Sequence, residues 1–183
     1  MRGLFHFALL LLLSPLVLAG EPPTPPTGYD WVTYEEGKLS VLCPQSWFVK
    51  KEVQNDTIAL FVSKEDIDKN NGLFQTGFSM NYMQRVSTHV HASPSTYASG
   101  LIATIAKLHP PVLKNETAHP APGISTFTLR INDNSRLQIT TEYLVVADDP
   151  RDTMRVISFE APAEEWDAAW KIGDTMLKNL ILQ

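Results

Sequence analysis

The chain contains one cysteine, Cys43, so an intramolecular disulfide is impossible and stability must come from a packed core. It also lacks a Gly-x-Ser-x-Gly elbow, a His-Glu-x-x-His pair and any glycine loop of the phosphate-cradling kind. Hydrolase, zinc-peptidase and nucleotide chemistry are therefore without their usual signatures, and a hydrolase would need an unrecognised site. No lysine and arginine cluster is present, and the 15 basic side chains are outnumbered by 20 acidic ones. Nucleic acid is excluded as a partner on that ground, because phosphate neutralisation needs grouped cations.

Long apolar runs are scarce too. Phe7 to Leu13 is unbroken, but it is short for a membrane span and is interrupted by Ser14-Pro15. With Arg2 before it and Val17-Leu18-Ala19 after it, residues 1–19 read as a signal peptide cleaved near Ala19. No cysteine follows that could carry a lipid anchor. The expectation is a secreted or periplasmic protein with no integral span after cleavage. Loss of Arg2 would leave 14 basic and 20 acidic side chains, a net charge of −6.

Residues 20–28 hold four prolines, Pro22, Pro23, Pro25 and Pro26, and read as an extended tether. The remaining 29–183 is enough chain for one domain with a proper core.

Short strands come first. Trp31-Val32-Thr33-Tyr34 is β-prone, and Lys38 to Cys43 places Leu39, Val41 and Cys43 on one face. Trp47-Phe48-Val49 begins a third strand, Asn55-Asp56 a turn, and Thr57 to Ser63 a fourth strand with Ile58, Leu60 and Val62 aligned. Lys64 to Asn71 is a helical turn or loop. Phe74 to Met83 reads as a strand with Phe74, Phe78, Met80 and Tyr82 on one side.

Ser93-Pro94 is an N-cap followed by proline at the first helical position, and the stripe Tyr97, Leu101, Ile105, Leu108 predicts a helix over 94–108. Val112 to His119 is a weak strand ended by Pro120. Better ones follow at Ile124 to Ile131, Leu137 to Val146 and Met154 to Phe159, with turns at 132–135 and 147–152. After a turn at Ala161-Pro162, large apolar residues recur at Trp166, Trp170, Leu177 and Leu180, with Gly173 in the same stripe. That is one face of a closing helix, and two tryptophans a turn apart need a broad cover, which a sheet supplies. Blocks of strands separated by single helices predict α+β, a mostly antiparallel sheet flanked by helices in a single domain.

Few residues suggest chemistry. His89 and His91, two apart, would share a face on a strand and could hold a metal, with His109 and His119 as further ligands; a solvated strand end is the plainer reading. Cys43 alternates with apolar residues and reads as a buried small hydrophobe rather than a nucleophile. Asp148, Asp149 and Asp152 could form a cation site but lack EF-hand spacing. Trp31, Trp47, Trp166 and Trp170 suit a core better than a carbohydrate platform. Asn55 and Asn115 head two sequons, which matter only in a eukaryotic secretory pathway.

The string Gly37-Lys38-Leu39-Ser40-Val41-Leu42-Cys43-Pro44-Gln45-Ser46-Trp47 carries a resemblance. So does Phe159-Glu160-Ala161-Pro162 leading into a Trp-bearing final helix. Together with the mid-chain helix and the early Trp31, these features resemble the PsbP-like superfamily, from about Tyr29 to Gln183. That group includes the extrinsic P protein of photosystem II, the Ran-binding Mog protein and periplasmic DcrB-like proteins. The resemblance implies an α/β/α sandwich, and binding or assembly rather than catalysis. It carries over no binding residue, catalytic group, cofactor or metal. The expected partner is another envelope protein, with a small-ligand or metal carrier using the sheet face and His89/His91 as the alternative.

Overall fold

The structure is a computed structural model, and it describes residues 22–54, 57–133 and 138–183. The signal peptide expected over residues 1–19, the turn and sequon expected at Asn55-Asp56, and the Asn134-Ser135 part of the later turn lie outside the described residues.

Two antiparallel sheets form where the sequence suggests one. Strands β1 (Tyr29–Tyr34) and β2 (Leu39–Pro44) make a hairpin, and the short β10 (Ile181–Leu182) joins β2 on its other side. Lys38, at φ 50°, closes the hairpin turn by donating its N–H to the Glu35 carbonyl. The larger sheet has seven strands. Its first block is β3 (Phe48–Gln54), β4 (Thr57–Ser63) and β5 (Gly77–Gln84). Its second is β6 (Val112–Ala121), β7 (Ile124–Asp133), β8 (Ile139–Asp148) and β9 (Thr153–Pro162). The order is β3-β4-β5-β9-β8-β7-β6, so each block is a local meander and the two meet at β5 and β9.

Strand periodicity gives each face of the large sheet its own core. On one side Leu60, Val62, Phe78, Met80, Tyr82, Ile157 and Phe159 are buried against Leu39 and Val41 of β2 and against α3 (Trp166–Lys178). On the other, Phe127, Leu129, Ile131, Val145, Ala147 and Met154 lie beneath α2 (Pro94–Leu108), with Val86 of the short α1 (Val86–Val90) at its margin. Burying each large apolar side chain contributes about 1.5–3 kcal/mol, which is why a chain with no disulfide can hold three layers. Every residue of β2 is buried: β1 pairs along its whole length, β10 covers Leu39 and Ser40 on the other edge, and its apolar side chains join the core beneath α3. The fold is the expected α+β class.

Several local expectations are corrected. In α3 the buried stripe is Trp166, Ala169, Gly173 and Met176, while Trp170 and Leu177 sit half-buried beside it and Leu180 lies past the helix end. Close approach sets this rotation: a Cβ on Gly173 would come within 2.6 Å of the Phe159 ring, so the small residues face the sheet. In α2 the buried centre is Ala98 and Ile102, and Leu108, the last residue of the helix, is 67% exposed. Phe74 is not in a strand; β5 begins at Gly77, and the Phe74 ring folds back to meet Phe61 edge-on at 6.2 Å. The turn placed at Ala161-Pro162 falls later, since Pro162 still pairs with Ile139 and the chain turns over residues 163–165. Strand β6 runs through Pro120 to Ala121, as an edge strand can.

Candidate protein-docking surface

Local geometry removes most of the chemical candidates first. His89 lies in the five-residue helix α1 and His91 is its left-handed C-cap at φ 54°, not on a strand. Residues two apart on a helical turn do not share a face, so the expected paired arrangement fails. His109 Nδ1 lies 3.5 Å from Asp133 and His119 Nδ1 is 3.1 Å from Ser125 Oγ, so neither converges on that turn. Among the described residues no three His, Cys, Asp or Glu side chains group as metal ligands would.

The three acidic residues of the β8–β9 turn are committed within the fold. Asp148 accepts from the backbone N–H and guanidinium of Arg151 at 3.0 and 2.7 Å. Asp149 accepts from the backbone and hydroxyl of Ser95, at the start of α2. Asp152 does the same for Ser87 at the start of α1, at 2.8 and 2.7 Å. Asp149 and Asp152 act as helix caps and Asp148 holds the turn through Arg151, so none of the three is placed as a cation ligand.

Cys43 is buried as expected, and burial, with Asp30 adding a smaller effect, pushes its thiol up to about 11. Trp166 is buried and stacks on Trp170 at 5.1 Å, both meet Phe159 edge-on, and the Arg130 guanidinium lies 4.5 Å from the Trp170 ring. Trp47 stacks on Phe159 at 6.5 Å. Trp31, half-buried on β1, donates its indole N–H to the Pro23 carbonyl of the proline-rich segment. The tryptophans are packing residues, as their number suggested. Asn115 is exposed on β6.

What remains is a contrast between the two edges of the large sheet. An unpaired strand edge invites another strand, and proteins blunt it with bulges, proline and inward-turned charge. Strand β6 has all three devices. Its register with β7 shifts near both ends, Pro120 stands within it, and Lys114 turns back to buried Glu142 at 3.6 Å. Strand β3 pairs with β4 through seven unbroken steps, contains no proline, and pairs with no other described strand. It exposes Phe48 (44%), Val49 (41%) and Val53 (65%).

The sequence hid this edge because apolar and charged residues occur on both faces of β3. Phe48, Lys50 and Glu52 share one side, and Val49, Lys51 and Val53 the other, so neither alternation template is met. That mixture, around an Lys-Lys pair, is the signal that could have marked it. Trp47, next in the chain, extends the surface into a cleft of about 490 Å³. The cleft is lined by Lys64, Thr76 and the N-terminal half of α3, with Ala169 and Ile172 as apolar wall.

The fold is similar to that of a solved PsbP protein. The solution structure of cyanobacterial PsbP (CyanoP) from Synechocystis sp. PCC 6803 superposes with a TM-score of 0.51 at 12% identity, covering 92% of this chain and 99% of that one. The Saccharomyces cerevisiae Ran-binding protein Mog1p superposes less closely, with a TM-score of 0.49 at 13% identity, over 84% of this chain and 95% of that one. No protein-family model matches the chain, and no curated protein does.

Proposed function

We propose that this is a non-catalytic binding or assembly protein of the cell envelope, which takes an extended segment of another protein along β3. The observation that carries the reading is the open β3 edge beside the blunted β6 edge of the same sheet. Strand addition gives affinity through main-chain hydrogen bonds, and side-chain pockets beside the edge give specificity. The Trp47 cleft is such a pocket. A non-catalytic role is supported by the fate of the reactive candidates: the Cys43 thiol is buried, Asp149 and Asp152 cap helices, and Asp148 binds Arg151. The envelope location rests on the signal-peptide pattern of residues 1–19.

A photo-crosslinking residue at Val53, compared with one at exposed Ser99 on α2, tests the docking edge. Adducts from the native host are expected at Val53 and should vanish when Val49→Lys is added. Equal crosslinking at both positions would refute the edge as the docking surface. Recovery of the chain in the cytosol with Met1 retained would refute export.

A further inference from the structure

The two adjacent lysines of β3 are in different electrostatic situations. Lys50 lies 2.9 Å from both Glu52 and Asp68, so its charge is answered within the fold. Lys51 points to the other side, where its ammonium donates to the Thr33 carbonyl at 3.0 Å and sits 4.8 Å from the Tyr34 ring centroid. Those contacts hold the side chain without neutralising it, and among the described residues no carboxylate pairs with it. Lys51 shares its face with Val49 and Val53, one strand step of two residues on either side. The open edge therefore presents an apolar, cationic, apolar row.

A row of this kind selects its partner. In antiparallel addition each β3 residue faces one residue of the incoming strand, and like charges directly opposite are destabilising. A second copy of β3 set so that Val49 meets Val53 would place Lys51 opposite Lys51, so self-pairing is disfavoured at its centre. The complementary strand carries an acidic residue at that position and apolar residues two places before and after it. We infer that β3 recognises an extended segment of the pattern apolar-x-acidic-x-apolar in a partner protein, with Lys51 reading the acidic residue. The inference rests on the proposal that β3 is the docking edge, and it names the chemistry of what docks there.

Two labelled synthetic peptides test it by fluorescence anisotropy with the full chain: acetyl-Thr-Val-Thr-Glu-Thr-Val-Thr-amide, and the same peptide with Lys for Glu. The acidic peptide should bind at least about fivefold more tightly, the size expected for exchanging an attractive cross-strand pair for a repulsive one. Added salt should shrink that ratio, and Lys51→Glu should invert it. Equal binding of the two peptides, lost together on Val53→Asp, would overturn the charge selection and leave the docking edge standing. No binding of either, or binding that survives Val49→Asp/Val53→Asp, would overturn both. All three positions are on the surface, so the variants are expected to fold; an unchanged thermal midpoint checks this.

Discussion

Asp149 grips the start of α2 through Ser95 with both carboxylate oxygens, Oδ1 taking the backbone N–H at 2.8 Å and Oδ2 the hydroxyl at 2.6 Å. The two residues are 54 positions apart, so a sheet turn completes the cap of a distant helix. Ser93, the local N-cap, takes the Thr96 backbone N–H at 3.3 Å and otherwise meets the hydroxyls of Ser95 and Thr96. Asp149→Ala should therefore cost about 1–2 kcal/mol, the upper part of the capping range, because two donors lose their acceptor. Urea denaturation would show it; an unchanged midpoint would mean that water replaces the carboxylate without loss.

Gly173→Ala sets two effects against each other. Alanine improves helix propensity by about 1 kcal/mol, but the new methyl would meet the buried Phe159 ring at 2.6 Å. Overpacking of this kind costs about 1–3 kcal/mol, so net destabilisation is expected. A higher thermal midpoint for the variant would show that the ring can move aside.

Trp166→Ala should cost about 3–5 kcal/mol, as removal of a large buried ring does. Trp166 is only 8% exposed, whereas Trp170 is half-buried, so Trp170→Ala should cost less although it severs the same stack. Parallel denaturation of the two variants checks the order. The reverse order would indicate that the Arg130–Trp170 contact outweighs burial.

Cys43 should resist alkylation at pH 8 in the folded protein and react promptly in denaturant, because only the thiolate attacks. Its proton is held more tightly in the fold than out of it, with the thiol moved from 9.0 to about 11. The resulting stability is fully present below pH 9 and is lost as the pH rises towards about 11. Burial raises Tyr143 as well, with Glu160 and Asp133 adding to it, and this deepens the alkaline loss. Cys43→Ala should flatten the fall in unfolding free energy between about pH 8.5 and 11. An unchanged pH profile would remove Cys43 as its source.

The parts legible in the sequence are those fixed by local periodicity. Ser93-Pro94 marks the start of α2, the strands β4 and β7 form where the sequence places them, and a helix starts at Trp166 although its buried face is turned from the expected one. The parts that were not legible depend on residues far apart. The helix rotations follow from Gly173 meeting Phe159 and from Ala98 approaching the sheet, neither of which a stripe of large residues can indicate. Helix α1 begins after Arg85 in a left-handed conformation and takes its cap from Asp152, so its origin lies outside its own segment. The open β3 edge was hidden for a related reason: whether β3 is an edge depends on which strands pair, and its pattern alone does not say.

The seam between β5 and β9 also bears on how the chain folds. The pairings within β3-β4-β5 and within β6-β7-β8-β9 join neighbouring strands, and hairpins of that kind close in microseconds. Gly77–Gln84 against Glu160–Thr153 is different, since it joins segments separated by the whole of α1, α2 and three strands. Such non-local contacts slow folding, because the loop entropy is spent before they form. Both apolar clusters draw residues from either side of this seam or lean on it, through Phe78 with Phe159 and Val86 with Met154. Two preformed meanders zipping along β5 and β9 therefore make the natural late step of assembly, and until that step the apolar faces of both halves stand open to water.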